Sequence, residues 1–199
     1  YEMEGMELRK NKIDTLLGPG INIHRNPLNG RNFEYFSEDP YLTGIMAAAQ
    51  LTGMGKYGVT GTIKHFACNN QEFKRHDANA IVSERALREI YLKGFEIAIK
   101  DAQPMSIMTS YNLINGVQAS ENKDLLTGIL RGEWDFNGMV TTDWWTHGEH
   151  YRETKAGNDL KMGNGYPDRV KKAYDKGAIS RSEMETSVKR ILELILKLD

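Results

Sequence analysis

Residues 138–145 read Gly-Met-Val-Thr-Thr-Asp-Trp-Trp, a β-branched, strand-like run closed by a carboxylate and two indoles. Aspartate ends strands because it favours turns, yet exposed tryptophans have no solvation reason to follow it. Asp143 and Trp144 suggest either the end of a core strand or a carboxylate held beside a flat apolar platform. A second group lies in KHFACNNQEFKRH, where Lys64 and His65 precede Arg75. Lysine brings a point charge, arginine a planar fork that can hold two adjacent hydroxyls, and histidine a donor or acceptor. Together they would floor a polar pocket. Neighbouring strand residues point to opposite faces, so Lys64 and His65 share a site only where their strand ends or twists. The alternative is a solvated lysine beside a hydrogen-bonded core histidine. In GRNFEYFSEDP, Arg31 sits among Phe33, Tyr35 and Phe36, which are expected to pack under the loop and aim the guanidinium.

Other chemistries have less behind them. Cys68 with His65 and His76 lacks the second cysteine that a zinc site of this kind would use. THGEHYRE, at 146–153, is not the His-Glu-x-x-His metal helix and reads as a polar loop. GPGINI carries a proline between its glycines and no third glycine, so it is no dinucleotide fingerprint. Without a Gly-rich phosphate loop, a generic phosphate-binding barrel has strand–helix alternation alone to support it.

The elements that must position these groups alternate along the chain. Strands are expected at 16–24, 58–66, 105–111 and 138–143, with a short fifth at 158–162. Pro40, after Asp39, opens a helix to about Lys56, since proline at the first turn loses no hydrogen bond. SERALREIYLKGFEIAIKDA predicts a helix over 83–102 with Leu87, Ile90, Tyr91, Gly94, Phe95 and Ala98 on its buried face. Further helices are expected at 124–133, at 167–176 before the stop at Gly177, and from Ser180, where Glu183 completes a capping box. Met184, Val188, Ile191, Leu192, Ile195 and Leu198 would form the buried stripe of that last helix. Alternation of this kind implies a parallel sheet with helices outside. An open doubly wound sheet and an eight-stranded barrel both place chemistry at the carboxyl ends of the strands. Here those ends carry His24 and Arg25, Lys64 and His65, Ser110 and Tyr111, and Asp143. A full barrel needs eight strands and roughly 250 residues, so five strands mean an open sheet or a barrel lacking its first strands.

Composition narrows the classes. The chain has 199 residues, 40% hydrophobic and 27% charged, with a formal net charge of −1. That balance points to neither a nucleic-acid nor a membrane-surface partner, and no apolar run approaches the ~18 residues of a bilayer span. A single cysteine excludes an internal disulfide. YEMEGMELRKNKID has neither an initiator methionine nor a leader pattern, and reads as a helix in progress with Met3 and Met6 packing inward. More sequence is expected upstream of it, and a cytoplasmic location is slightly favoured.

Four stretches in order, GPGINIHRNPLNGRNFEYFSEDP, IKHFACNNQEFKRH, MTSYNLINGV and MVTTDWW, resemble glycoside hydrolase family 3 in its β-glucosidase-like branch. AGNDLKM and the closing helix extend the resemblance over nearly the whole chain. It implies an α/β fold, a partial (β/α)8 TIM-type barrel of parallel strands with outer helices and the first strands missing. It implies one incomplete barrel domain over 1–199, with a partner α/β sandwich domain elsewhere in the full-length protein. KHFACNNQ departs from the KHFPGxG-like loop of the β-N-acetylglucosaminidase branch, so His76 is not promoted to proton donor.

The resemblance implies a retaining, exo-acting β-glycosidase acting on terminal β-linked glucose of a small glucoside or oligosaccharide. Asp143 would be the catalytic nucleophile, Arg31, Lys64, His65, Arg75 and Tyr111 would grip the sugar, and Trp144 would lie on its apolar face. No cofactor and no metal are implied. The attacker must be ionised, and Lys64, Arg31 and Arg75 are expected to lower the Asp143 pKa. The acid/base glutamate would come from the partner domain, leaving this chain the nucleophile half, with little turnover alone. A non-catalytic carbohydrate-binding remnant of the same fold is the alternative. Unpaired sheet edges would favour self-association.

Overall fold

In the computed structural model, which describes residues 1–198, helix α1 (Glu2–Lys10) leads into strand β1 (Thr15–Leu16). Helix α2 (Pro40–Gly55) returns the chain to β2 (Thr60–Phe66). After β3 (Asn79–Ala80) come α3 (Glu84–Ala86), a π-helical turn Leu87–Tyr91 and α4 (Lys93–Ala102). Strand β4 (Ser106–Thr109) is followed by the short pair β5 (Leu113–Ile114) and β6 (Val117–Gln118), then by a π-helical segment Asp124–Glu133. Strand β7 (Met139–Thr141) precedes α5 (His150–Ala156), α6 (Pro167–Asp175) and α7 (Arg181–Leu198).

Strands β1, β2, β4 and β7 lie in that order, every pair parallel. This is the α/β arrangement that alternation implied: four adjacent parallel strands of a TIM-type barrel with helices outside. β5 and β6 form a hairpin turning at Asn115 (φ 49°) and Gly116 (φ 85°), both left-handed, as a two-residue hairpin turn requires. The Asn-Gly pair carries that signal openly, and the sequence reading passed over it.

The core lies between sheet and helices. Phe66 is fully buried and meets the rings of Phe95 and Trp134 edge-on, at centroid distances of 5.0 and 6.0 Å. Edge-to-face contacts of this kind add to the area they bury. Helix α2 begins where expected: the Asp39 carboxylate accepts the Tyr41 and Leu42 amides at 2.8 and 3.3 Å, ahead of Pro40 at the first turn. It packs on α4 so closely that a Cβ on Gly44 would stand 2.8 Å from Ile97 Cβ.

Several expectations need correction. The strand expected over 16–24 pairs regularly only at Thr15–Leu16, with one further bridge from Gly20 to Lys64. The fifth strand reduces to a bridge between Thr141 and Leu160. In the helix at 83–102 the π turn inserts an extra residue and rotates the face, so Leu92 is buried while Ile90 is 38% exposed. Met3 and Met6 are exposed, and Gly5 faces the Met54 backbone instead. The capping box of α7 forms as expected, with Ser180 and Glu183 exchanging hydrogen bonds of 2.7 and 3.2 Å. Its stripe, however, is rotated. Ser187 turns inward and Arg190 pairs with the buried Asp159 at 3.0 Å, which leaves Val188, Leu192 and Ile195 about half exposed to solvent. Met184, Ile191 and Leu198 are half-buried.

Candidate active site

The sheet delivers the chemistry-bearing residues to one end. Lys64 and His65 lie at the carboxyl end of β2, Tyr111 two residues beyond β4, and Asp143 two residues beyond β7. In a parallel sheet those positions are neighbours. The register of β2 against β4 shifts between Lys64 and Phe66, so the strict alternation of faces lapses where Lys64 and His65 must act together.

Asp143 stands at the centre and is 6% exposed. Its Oδ1 accepts the Trp144 amide at 2.7 Å, and its Oδ2 lies 3.5 Å from His65 Nε2 with no closer hydrogen-bond partner. The Tyr111 hydroxyl sits beside it, short of regular hydrogen-bond geometry. The end of β7 is locked from below, because the Thr142 amide donates to Leu160 O at 2.9 Å and the Met162 amide donates to Thr142 Oγ1 at 3.0 Å.

Charge around Asp143 is organised in pairs. Arg31, at the start of the turn Asn32–Glu34, hydrogen-bonds Glu34, and Lys64 Nζ reaches the other oxygen of Glu34 at 3.3 Å. Arg75 pairs with Glu72 at 2.9 Å and lays its guanidinium over the Tyr111 ring, 4.5 Å from the centroid. His76 also packs on Tyr111, with ring centroids 4.1 Å apart, and on His147 at 4.9 Å.

The expectation that cations would lower the Asp143 pKa is overturned. Burial raises it, and the Trp144 amide, Tyr111, Arg31 and Arg75 offset that only in part, so the net shift is upward. The reason is visible in the pairing: Glu34 and Glu72 partly cancel the cations, and Lys64 is turned toward Glu34. Burial opposes the charge on Glu34 as well, but its bond to Arg31 and the Lys64 charge outweigh burial and lower its pKa. His65 is held neutral, chiefly by burial and then by the Arg31, Lys64 and Arg75 charges, which push its pKa well below the usual value.

The structure thus brings together Asp143, His65, Tyr111, Arg75 and Arg31, with Lys64 linked through Glu34. Trp144 is half-buried and joined to Asp143 through its backbone. Of the aromatics expected to pack under the Arg31 loop, Tyr35 is buried and Phe36 packs on the core, but Phe33 is 86% exposed. The guanidinium is aimed by Glu34 rather than by that ring. Among the described residues no group of three His, Cys, Asp or Glu side chains is placed to hold a metal. Burial of Cys68 pushes its thiol up to about 12, which leaves it an inert apolar filler.

Sequence reasoning missed Asn22, Asn69 and the two glutamates. Glu34 and Glu72 stand three residues from Arg31 and Arg75, a spacing that announces a local pair. Asn22 caps both backbone groups of His65, accepting its N–H at 2.8 Å and donating to its carbonyl at 2.9 Å. No local pattern connects residues so distant in the chain.

Residues 2–194 match the family model of the Glycosyl hydrolase family 3 N terminal domain. A beta-glucosidase of Ruminococcus albus is 49% identical over 96% of this chain and 22% of its own length. An exo-alpha-(1->6)-L-arabinopyranosidase of Bifidobacterium longum is 44% identical over 96% of this chain and 25% of its own. The structure of beta-glucosidase 3B from Thermotoga neapolitana in complex with alpha-D-glucose superposes with a TM-score of 0.94 at 44% identity, over 97% of this chain and 28% of that one. The chain therefore spans about a quarter of each of these relatives.

Proposed function

The chain belongs to glycosyl hydrolase family 3, and from that premise we propose that it carries the nucleophile half of a retaining, exo-acting β-glycosidase, with Asp143 forming a covalent bond to the anomeric carbon of a terminal β-linked glucose. The observation that carries this reading is the buried Asp143 carboxylate at the strand ends, with one oxygen unpaired and facing the neutral His65 at 3.5 Å.

The chemistry follows from what such a substrate needs. A sugar offers hydroxyls at its rim and C–H groups on its faces. The forks of Arg31 and Arg75, the Lys64 ammonium and the Tyr111 hydroxyl suit the rim, while the buried His65 faces Asp143 from behind them. The indole of Trp144 suits a face. Asp143 attacks the anomeric carbon as the leaving oxygen departs, and water later releases the sugar. A second carboxyl must protonate the leaving oxygen from roughly 5–5.5 Å away. Glu34 and Glu72 are held by cations, so the proton donor is assigned to another part of a longer protein, in keeping with a partner α/β sandwich domain. The same pairing also favours a second reading, a carbohydrate-binding remnant that keeps the pocket without turnover.

A 2-deoxy-2-fluoro glucoside with a very acidic leaving group needs no proton donor. It is expected to add one fluoroglucosyl group to Asp143, found by mass spectrometry of the peptide containing GMVTTDWW. Labelling by the corresponding arabinopyranoside in place of the glucoside would move the sugar assignment to that of the Bifidobacterium longum relative. Binding of glucose with no adduct from either reagent would sink the hydrolase reading in favour of the remnant.

A further inference from the structure

We propose that the Tyr35 hydroxyl is a positioning group that fixes the His65 imidazole in its Nε2–H tautomer, with that proton directed at Asp143. Its purpose rests on the hydrolase reading; its geometry does not.

His65 is 1% exposed, and its Nδ1 has two neighbours that compete for it: Asn22 Oδ1 at 3.2 Å and the Tyr35 hydroxyl at 3.3 Å. The Asn22 amide cannot turn, because it is bound to the backbone N–H and carbonyl of His65 at once. Its oxygen can only accept, so it favours a proton on Nδ1. Tyr35 is decided by its own partner. The Asn69 amide nitrogen donates to Glu72 Oε1 at 3.1 Å, and a carboxylate can only accept, which fixes the amide orientation. The same nitrogen donates to the Tyr35 oxygen at 3.2 Å. The Tyr35 oxygen is therefore an acceptor toward Asn69, and its proton is free for His65 Nδ1.

The two tautomers differ in the contacts they satisfy. With the proton on Nε2, Tyr35 donates to Nδ1 and Nε2–H faces Asp143 Oδ2 at 3.5 Å. The cost is one close approach of lone pairs between Nδ1 and Asn22 Oδ1. With the proton on Nδ1, Asn22 gains a bond, but the Tyr35 proton loses its acceptor and an Nε2 lone pair faces a buried carboxylate. Unmade bonds and opposed acceptors are costly when buried. Burial also raises the Tyr35 pKa, so this proton stays on the phenol. The distance from Nε2 to Asp143 is long for a hydrogen bond, as such contacts often are before substrate closes on them. A neutral donor there orients Asp143 without adding the full charge that would pair with it and blunt its attack.

The test reads the tautomer directly. The protein is labelled with 15N in its five histidines, and two-bond 1H–15N correlation spectra are recorded near neutral pH without sugar. The His65 signals are identified by their loss in His65→Gln. In the native protein Nε2 is expected at the protonated position and Nδ1 at the unprotonated one. In Tyr35→Phe the pattern is expected to shift toward Nδ1–H, because Asn22 is then the one remaining partner of Nδ1. Asp143→Ala is expected to retain Nε2–H, since Tyr35 still holds Nδ1. A native Nδ1–H tautomer, an unchanged pattern in Tyr35→Phe, or a switch in Asp143→Ala would each overturn the assignment. Should Tyr35→Phe not fold, the native and Asp143→Ala spectra decide it. None of these spectra depends on glycosidase chemistry, so failure of the fluoroglucoside experiment leaves the result readable.

Discussion

At the scale of the residue, Asp143 pays in stability for its setting. Its folded pKa lies above the ordinary 3.8, chiefly through burial. Between those two values the folded state binds more protons than the unfolded one, so stability falls as pH rises through the folded pKa. Below 3.8 both states are protonated and the penalty is absent. Asp143→Asn is therefore expected to raise the urea midpoint at pH 7, by a gain on the order of 1 kcal/mol. That advantage should shrink to nothing as the pH drops below the ordinary aspartate value. A loss of stability at pH 7 would mean that Arg31 and Arg75 need this carboxylate more than burial opposes it. The trade fits a residue kept for chemistry rather than for folding.

At the scale of the element, the loop after β7 is held by a buried ion pair. Lys161 Nζ reaches Glu153 Oε2 at 2.6 Å with both side chains about 1% exposed, and also donates to Thr146 Oγ1 at 2.9 Å and to Gly148 O at 3.1 Å. Glu153 Oε1 accepts the hydroxyls of Thr146 and Ser120 at 2.6 and 2.8 Å. The pair thereby ties α5, the Thr146–Gly148 loop and the segment after β6 to the 160–162 segment, which hydrogen-bonds Thr142 beside Asp143. Removing one partner leaves the other charge buried without compensation, a loss of about 3–5 kcal/mol. Lys161→Met is expected to lose that much in urea unfolding, and Lys161→Met with Glu153→Leu to recover part of it. A single-variant loss under about 1 kcal/mol would mean that water reaches Glu153 and the loop is held by its hydroxyls.

At the scale of the whole molecule, the four-stranded parallel sheet leaves an edge at β1 among the described residues, whereas the 159–160 backbone covers β7, and α7 shows a largely exposed apolar face. Leu192 is 52% exposed, Ile195 49% and Leu196 75%. Exposed apolar side chains and an open edge both favour association. The chain alone is expected to show a weight-average mass rising with concentration in light scattering, and Leu192→Glu with Ile195→Glu to reduce that rise. A monomeric mass at all concentrations would show that this edge and this face tolerate water. No helix among the described residues is long and apolar enough to cross a membrane.

The sequence by itself determined most of the helices, the strands β2, β4 and β7, and their order, though the polar loop expected at 146–153 runs into α5. Asp39-Pro40, Gly177 and the Ser180–Glu183 box mark helix ends through local hydrogen bonding, and β-branched runs mark β2, β4 and β7. It also determined which residue types stand at the strand ends, because a parallel sheet sends one end of every strand to the same side. Only the tertiary structure decided the phase and the charge. A π turn moved Leu92 into the core, the Arg190–Asp159 pair rotated α7, and burial, with the nearby cations held by glutamates, reversed the pKa shift expected for Asp143. These outcomes depend on neighbours far away in the chain and on the dielectric around them. Local spacing records neither, which is why Asn22 and Asn69, decisive for His65, left no mark in it.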